Sequence, residues 1–242
     1  RSQAALIVAG TSGGVSFEPV HLRGNAQIIV DTVASGADGV DSVTFQSISG
    51  SHGNSAMSLN LGANHDVVSF APLTGPVAVS LTARGTSDGF AGATTLAAMT
   101  TTFDNVDQLT GSSASGSTPA TGDVLTLALA ANSTWNVTAA NAGDISVAGP
   151  ARDLDFTSFE NLAGGALSDS FVMGATGSLN GGINGACDTA TGACTGCLSN
   201  NDCGGFTPRC DTVKHKCVEC LLANQCQGGN NATCDATGTC RR

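Results

Sequence analysis

Ten cysteines supply the densest chemistry in the chain, and all lie between Cys187 and Cys240. Cys187, Cys210 and Cys234 each open a Cys-Asp phrase, and Cys194, Cys217 and Cys240 close those phrases. Cys197 and Cys220 stand 23 residues apart, as do Cys203 and Cys226, so the tail reads as two full repeats behind a leading half. An even count in a short segment favours a disulfide framework. Zinc is the alternative, because Cys194-x2-Cys197 and Cys217-x2-Cys220 have the spacing of a four-cysteine ribbon. That reading leaves six cysteines of the same period unexplained, so bridges are preferred and no metal site is expected. A segment with so few apolar side chains needs them, at about 2–4 kcal/mol each. Spacing leaves the connectivity open, with a slight preference for Cys187–Cys194 and for alternating pairs inside each repeat.

Elsewhere the reactive residue types are scattered. Asp153 and Asp155, beside Arg152, are the one compact group. Alternate residues on a strand share a face, so the two carboxylates would stand side by side, as glycoside cleavage requires. A solvated turn explains them more simply, and no catalytic residue is expected. His21, His52, His65 and His215 form no His-x3-His or His-Glu-x2-His pair and read as surface polar residues. No nucleophile elbow or phosphate loop is present. Gly164-Gly165-Ala166-Leu167-Ser168-Asp169 approaches a calcium-binding turn but lacks its middle glycine and second acid. Calcium wants six to eight oxygens, so no obligatory calcium and no cofactor is expected. The sequons at Asn132, Asn136 and Asn231 are attributed to chance in a Thr- and Asn-rich chain.

Composition divides the chain in two. Residues 1–186 hold no cysteine and four basic groups against fourteen acidic ones, whereas 187–242 balance five against five. The expected domains are therefore a body, 1–186, and a Cys-rich repeat domain, 187–242. An acidic body without a basic patch argues against nucleic acid, which needs clustered Lys and Arg. Val124 to Ala131 is the longest apolar stretch and is too short to insert in a membrane as a helix. With 12% charged and 41% apolar residues, the chain has too little charge and too much hydrophobicity to be disordered. Cysteine density points to an oxidising place, secreted and extracellular or at the cell surface. The absence of a signal peptide before Arg1 is read as a targeting segment already removed.

The elements that would position any site are short strands. Ala5–Val8, Ala26–Val30, Ser42–Phe45, Met57–Leu61 and Val67–Phe70 are apolar or alternating runs bounded by turn residues, as are Val77–Leu81, Val124–Leu127, Thr134–Val137 and Ser170–Met173. Thr94–Met99 alone suggests a short helix. An acid-then-apolar phrase recurs as Asp41-Ser42-Val43, Asp66-Val67-Val68, Asp123-Val124-Leu125 and Asp169-Ser170-Phe171, at steps of 25, 57 and 46 residues. A second phrase, Phe103-Asp104-Asn105-Val106, returns as Phe159-Glu160-Asn161-Leu162. Repeats favour stacked coils. The expected fold is all-β: a parallel β-solenoid, or β-helix, followed by a small disulfide-rich domain. A β-sandwich with the same tail is the alternative.

Phe159-Glu160-Asn161-Leu162-Ala163-Gly164-Gly165, then Ser168-Asp169-Ser170-Phe171 and Ser178–Gly185, resembles a phrase of bacterial haemagglutinin-like and other repetitive β-helix surface adhesins. The resemblance covers about residues 100–186. The tail, jointed at Cys217-Val218-Glu219-Cys220, resembles modules in secreted proteins of myxobacteria-like bacteria. What the first resemblance implies is a parallel β-helix in an exported adhesin or fibre, with no catalytic residue. The expected role is structural or adhesive, with self-association into a homopolymer or fibre. A glycan or other cell-surface ligand is the second expectation, and a β-helix polysaccharide-degrading enzyme the third.

Overall fold

Strand-forming residues dominate because Val, Thr, Ile and Phe fit a pleated, half-buried surface, while Gly, Asn and Ser break the chain into short runs. The computed structural model describes residues 5–23, 27–33, 38–50, 55–148, 152–165, 167 and 169–184, with 209–211, 216–218, 233–234 and 240–241 of the tail. Every regular element among them is a strand, and the chain is all-β.

Two mixed sheets form the body. The first contains β1 (Ala5–Ser12), β2 (Val15–Arg23), β4 (Ser42–Ser49), β6 (Val67–Ser69), β10 (Gln108–Thr110), β12 (Ser133–Ala139), β13 (Ala142–Val147), β14 (Arg152–Thr157) and β16 (Asp169–Met173). Its order is β16-β12-β13-β14-β10-β6-β4-β1-β2. The second contains β3 (Gln27–Asp31), β5 (Ala56–Asn60), β7 (Ala78–Arg84), β8 (Phe90–Leu96), β9 (Met99–Val106), β11 (Val124–Leu127), β15 (Asn161–Ala163) and β17 (Ile183–Asn184), in the order β17-β15-β11-β7-β8-β9-β5-β3. From β3 onward the chain changes sheet after each strand or hairpin group. Strands that return to a sheet stack parallel and in register: Val43, Val68, Leu109 and Phe156 form one inward row of the first sheet. Val79, Leu125, Leu162 and Ile183 form an inward row of the second. Both rows join one apolar core that also holds Phe45, Phe70, Phe90 and Trp135.

Trp135 is the largest fully buried side chain. It stacks on Phe171 at 5.1 Å between ring centroids and meets Phe156 edge-on at 6.2 Å. Its indole N–H donates to Ser133 Oγ at 2.8 Å, so the one polar atom it takes inside is satisfied.

The stacking explains the uneven repeat. Asp41 and Asp66 are 25 residues apart and occupy equivalent places on adjacent strands. Asp66 and Asp107 are equivalent too, yet 41 apart, because the β8–β9 hairpin is inserted between them. One expectation fails here. Thr94–Met99 is the end of β8, a turn and the first residue of β9, rather than a helix. Leu96 pairs with Met99, leaving Ala97 and Ala98 as the turn at φ 47° and 68°. Cross-strand pairing of the flanking threonines outweighs the helical preference of Ala and Leu.

Candidate functional site

The acid of the recurring phrase is buried each time: Asp41, Asp66 and Asp123 are at most 1% exposed, and Asp169 is 5% exposed. Each sits just before its strand, or opens it, where a turn leaves backbone N–H groups to satisfy. At the first sheet the Gly13 N–H donates to Asp41 Oδ1 at 2.8 Å. The Asp41 N–H donates to Asp66 Oδ1 at 2.7 Å, and the Asp66 N–H to Asp107 Oδ2 at 3.0 Å. Three carboxylates therefore form a column along β4, β6 and β10, each holding the backbone of its neighbour.

The column is not fully satisfied. Asp41 Oδ2 and Asp66 Oδ2 are buried without a partner, as is Oδ1 of nearby Asp88. Neighbouring strands lie about 4.8 Å apart. Two ionised carboxylates at that spacing repel by roughly 3 kcal/mol at an effective dielectric of about 20. Burial, then the charges of Asp41, Asp107 and Asp88, push the Asp66 carboxyl up from 3.8 to about 7, against the opposing hydrogen bond from the Asp41 N–H. Asp107 is raised as well, first by burial and then by Asp88, while its bond from Asp66, His65 and Arg152 pull it down.

A second corner, where β11 and β15 begin, uses the same geometry with different neighbours. Asp123 accepts from the Val77 N–H at 2.7 Å, from Ser112 Oγ at 2.8 Å, and from the Ser112 N–H. The Asp123 N–H donates to Glu160 Oε2 at 2.8 Å, and Asn141 Nδ2 to Glu160 Oε1 at 3.0 Å. Asn161 continues the stack, giving its amide to the Asp123 carbonyl at 3.2 Å and accepting from the Gly182 N–H at 3.2 Å. Burial raises both carboxyls, but each carboxylate oxygen here has a donor.

Asp153 and Asp155 do share the exposed outer face of β14, as alternation requires. Asp144 of β13 stands directly opposite Asp155, a third carboxyl absent from the sequence argument. Asn136 Nδ2 donates to Asp144 Oδ2 at 2.7 Å. Arg152 turns away from this group, its Nη2 donating to the Ser87 carbonyl at 3.0 Å. The three acids thus stand on an exposed sheet face. An open groove of about 390 Å³ lies elsewhere, between Gln46, Ile48, Leu73, Pro76 and Leu96, and no titratable side chain lines it.

His65 is exposed and meets Gln108 Oε1 at 3.4 Å, and His21 lies exposed on β2. His52 and His215 fall outside the described residues. Asp169 accepts from Ser133 Oγ and from the Gly165 backbone, so its carboxylate serves strand pairing. Among the described residues no three His, Cys, Asp or Glu side chains are grouped to hold a metal ion. Of the cysteines, Cys187, Cys194, Cys197, Cys203, Cys220 and Cys226 lie outside the described residues. Cys210 and Cys217 are direct partners across β18 (Arg209–Asp211) and β19 (Lys216–Val218). Cys234 and Cys240 are partners across β20 (Thr233–Cys234) and β21 (Cys240–Arg241).

Sequence reasoning found Asp41, Asp66, Asp123 and Asp169 as repeats but not as buried groups, and missed Asp107, Glu160 and Asn141. The second phrase carried a usable signal: Glu160 and Asn161 are its polar pair, and both are buried. One copy closes β9 and the other leads into β15, however, so aligning them hides the stacks. No family model, curated protein or solved structure matches the chain.

Proposed function

We propose that this is a non-enzymatic, extracellular structural or adhesive protein whose body is a short, hairpin-interrupted β-solenoid that associates with copies of itself. The observation that carries this reading is the in-register parallel stacking of strands that return to the same sheet after crossing to the other. Such winding builds length and stiffness, and its terminal strands are its stickiest parts.

The two edges at the β1–β3 end differ in a way that favours one contact. β2 carries Pro19, which donates no hydrogen bond, and the bulge at Val8/Gly10 twists its pairing with β1. β3, Gln-Ile-Ile-Val-Asp, has neither device; among the described residues it pairs only with β5, and Ile29 is 75% exposed. Self-association through β3 follows from that asymmetry. The tail is read as disulfide-bridged.

Sedimentation velocity over a concentration series, with negative-stain images of the heaviest species, tests the reading. Growth into rods that Ile29→Lys abolishes is the expected result. A monomer at every concentration, or rods unchanged by Ile29→Lys, would contradict it.

A further inference from the structure

The aspartate column does something that a scaffold does not require. Strand pairing could have been pinned with Ser, Asn or Thr, as other turns of this body are. Asn105 does so neutrally, accepting from the Ser87 N–H at 2.8 Å and donating to Asn60 Oδ1 at 2.9 Å. The column instead stacks three carboxyl groups on adjacent strands, with the middle one fully buried. Both Asp41 and Asp66 keep one oxygen without a partner. If all three were ionised, the arrangement would push its own strands apart.

We propose that Asp41, Asp66 and Asp107 form a proton-operated clasp. A proton held on the Asp66 carboxyl keeps β4, β6 and β10 in register, and its loss above neutral pH loosens this corner and the β1–β2 hairpin hung on Asp41.

The groups facing Asp66 fix the direction of the effect. Asp41 lies before β4, Asp107 before β10, and Asp88 in the turn between β7 and β8, all acidic. The favourable charges, His65 and Arg152, act on Asp107 rather than on Asp66. Asp66 is therefore the site where a proton relieves most repulsion. Protonated, it still accepts the Asp41 N–H through Oδ1, so the backbone bond survives. Ionised, it confronts Asp107 on one side and Asp41 on the other. The Gly13 N–H bond to Asp41 carries the disturbance to the β1–β2 turn.

The experiment is a side-chain carboxyl 13C titration of Asp66 in the full chain. It is repeated in Asp41→Asn and Asp107→Asn, and paired with denaturant midpoints at pH 5 and pH 8. The clasp predicts an Asp66 midpoint near neutrality that falls by at least one pH unit in each variant. It also predicts a wild-type denaturant midpoint lower at pH 8 than at pH 5, a difference that Asp66→Asn abolishes. Should Asp66→Asn fail to fold, the wild-type titration and the two flanking variants still decide. An Asp66 midpoint below pH 5, or one unmoved in both variants, overturns the proposal. So does loss of the pH effect in millimolar calcium, since the column would then hold a cation rather than a proton.

Discussion

The two acid corners share one hydrogen-bond geometry and differ in what surrounds it. At Asp41–Asp66–Asp107 three carboxyl groups follow one another, each accepting a backbone N–H, and one oxygen of Asp41 and one of Asp66 are left over. At Asp123–Glu160 the carboxylates face Ser112, Asn141 and backbone N–H groups, and each oxygen is used. A buried carboxylate whose oxygens all accept donors is a structural pin; one left with a bare oxygen among other carboxylates is a strain that a proton relieves. A proton relieves burial at both places, but replacing the acid by its amide should have opposite signs, because only the second corner aims a donor at every oxygen.

Removing the satisfied pin has the largest effect. Asp123→Ala strands the Val77 and Ser112 N–H groups in the interior and should destabilise by about 3–5 kcal/mol, read from urea unfolding at pH 7. Asp66→Asn should stabilise, but only at higher pH. With its folded value near 7 and an ordinary value of 3.8, native Asp66 holds a proton that the unfolded chain releases. Stability from this group is thus greatest below about pH 4 and falls as pH rises towards 7. The total loss is up to about 4 kcal/mol. Asp66→Asn should recover much of that at pH 8 and stay within about 1 kcal/mol of the native protein at pH 4, by the same unfolding measurement.

Glu160→Gln sharpens the contrast. Both Glu160 oxygens accept bonds, so the new amide must point a donor at a donor, and the variant should lose about 1–3 kcal/mol at pH 7. Away from both corners, the Ala97-Ala98 turn holds two non-glycine residues at positive φ. Ala97→Asn with Ala98→Gly should raise stability by about 1–2 kcal/mol at pH 5 and pH 8 alike, the pH-independent control.

How much of this was legible in the sequence differs by element. The apolar runs at Val43, Val68, Leu125 and Phe171 announced buried strands, because alternation on a one-faced sheet is a strong pattern. β9, with three consecutive threonines, carries weaker alternation, and the acids of β14 read as a solvated turn despite their alternation with Leu154 and Phe156. The Leu-Ala-Ala-Met run suggested helix because propensity is local, whereas the Leu96–Met99 pair that makes it a turn depends on neighbouring strands. For the sites, repetition revealed the acids of the recurring phrase but not their burial. An Asp before a strand ordinarily lies in a solvated turn, and only the neighbouring strand's turn supplies the N–H that draws it in. Asp107 was hidden further by the hairpin that stretches its step to 41 residues.

The most direct test of the contrast is native-state hydrogen exchange at pH 5 and pH 8, corrected for intrinsic rates. It compares the Asp41 and Asp66 amides with those of Val77 and Asp123. The account predicts that protection at Asp41 and Asp66 falls at least tenfold more between the two pH values than protection at Val77 and Asp123. Equal changes at all four amides, or a greater loss at Val77 and Asp123, would contradict it.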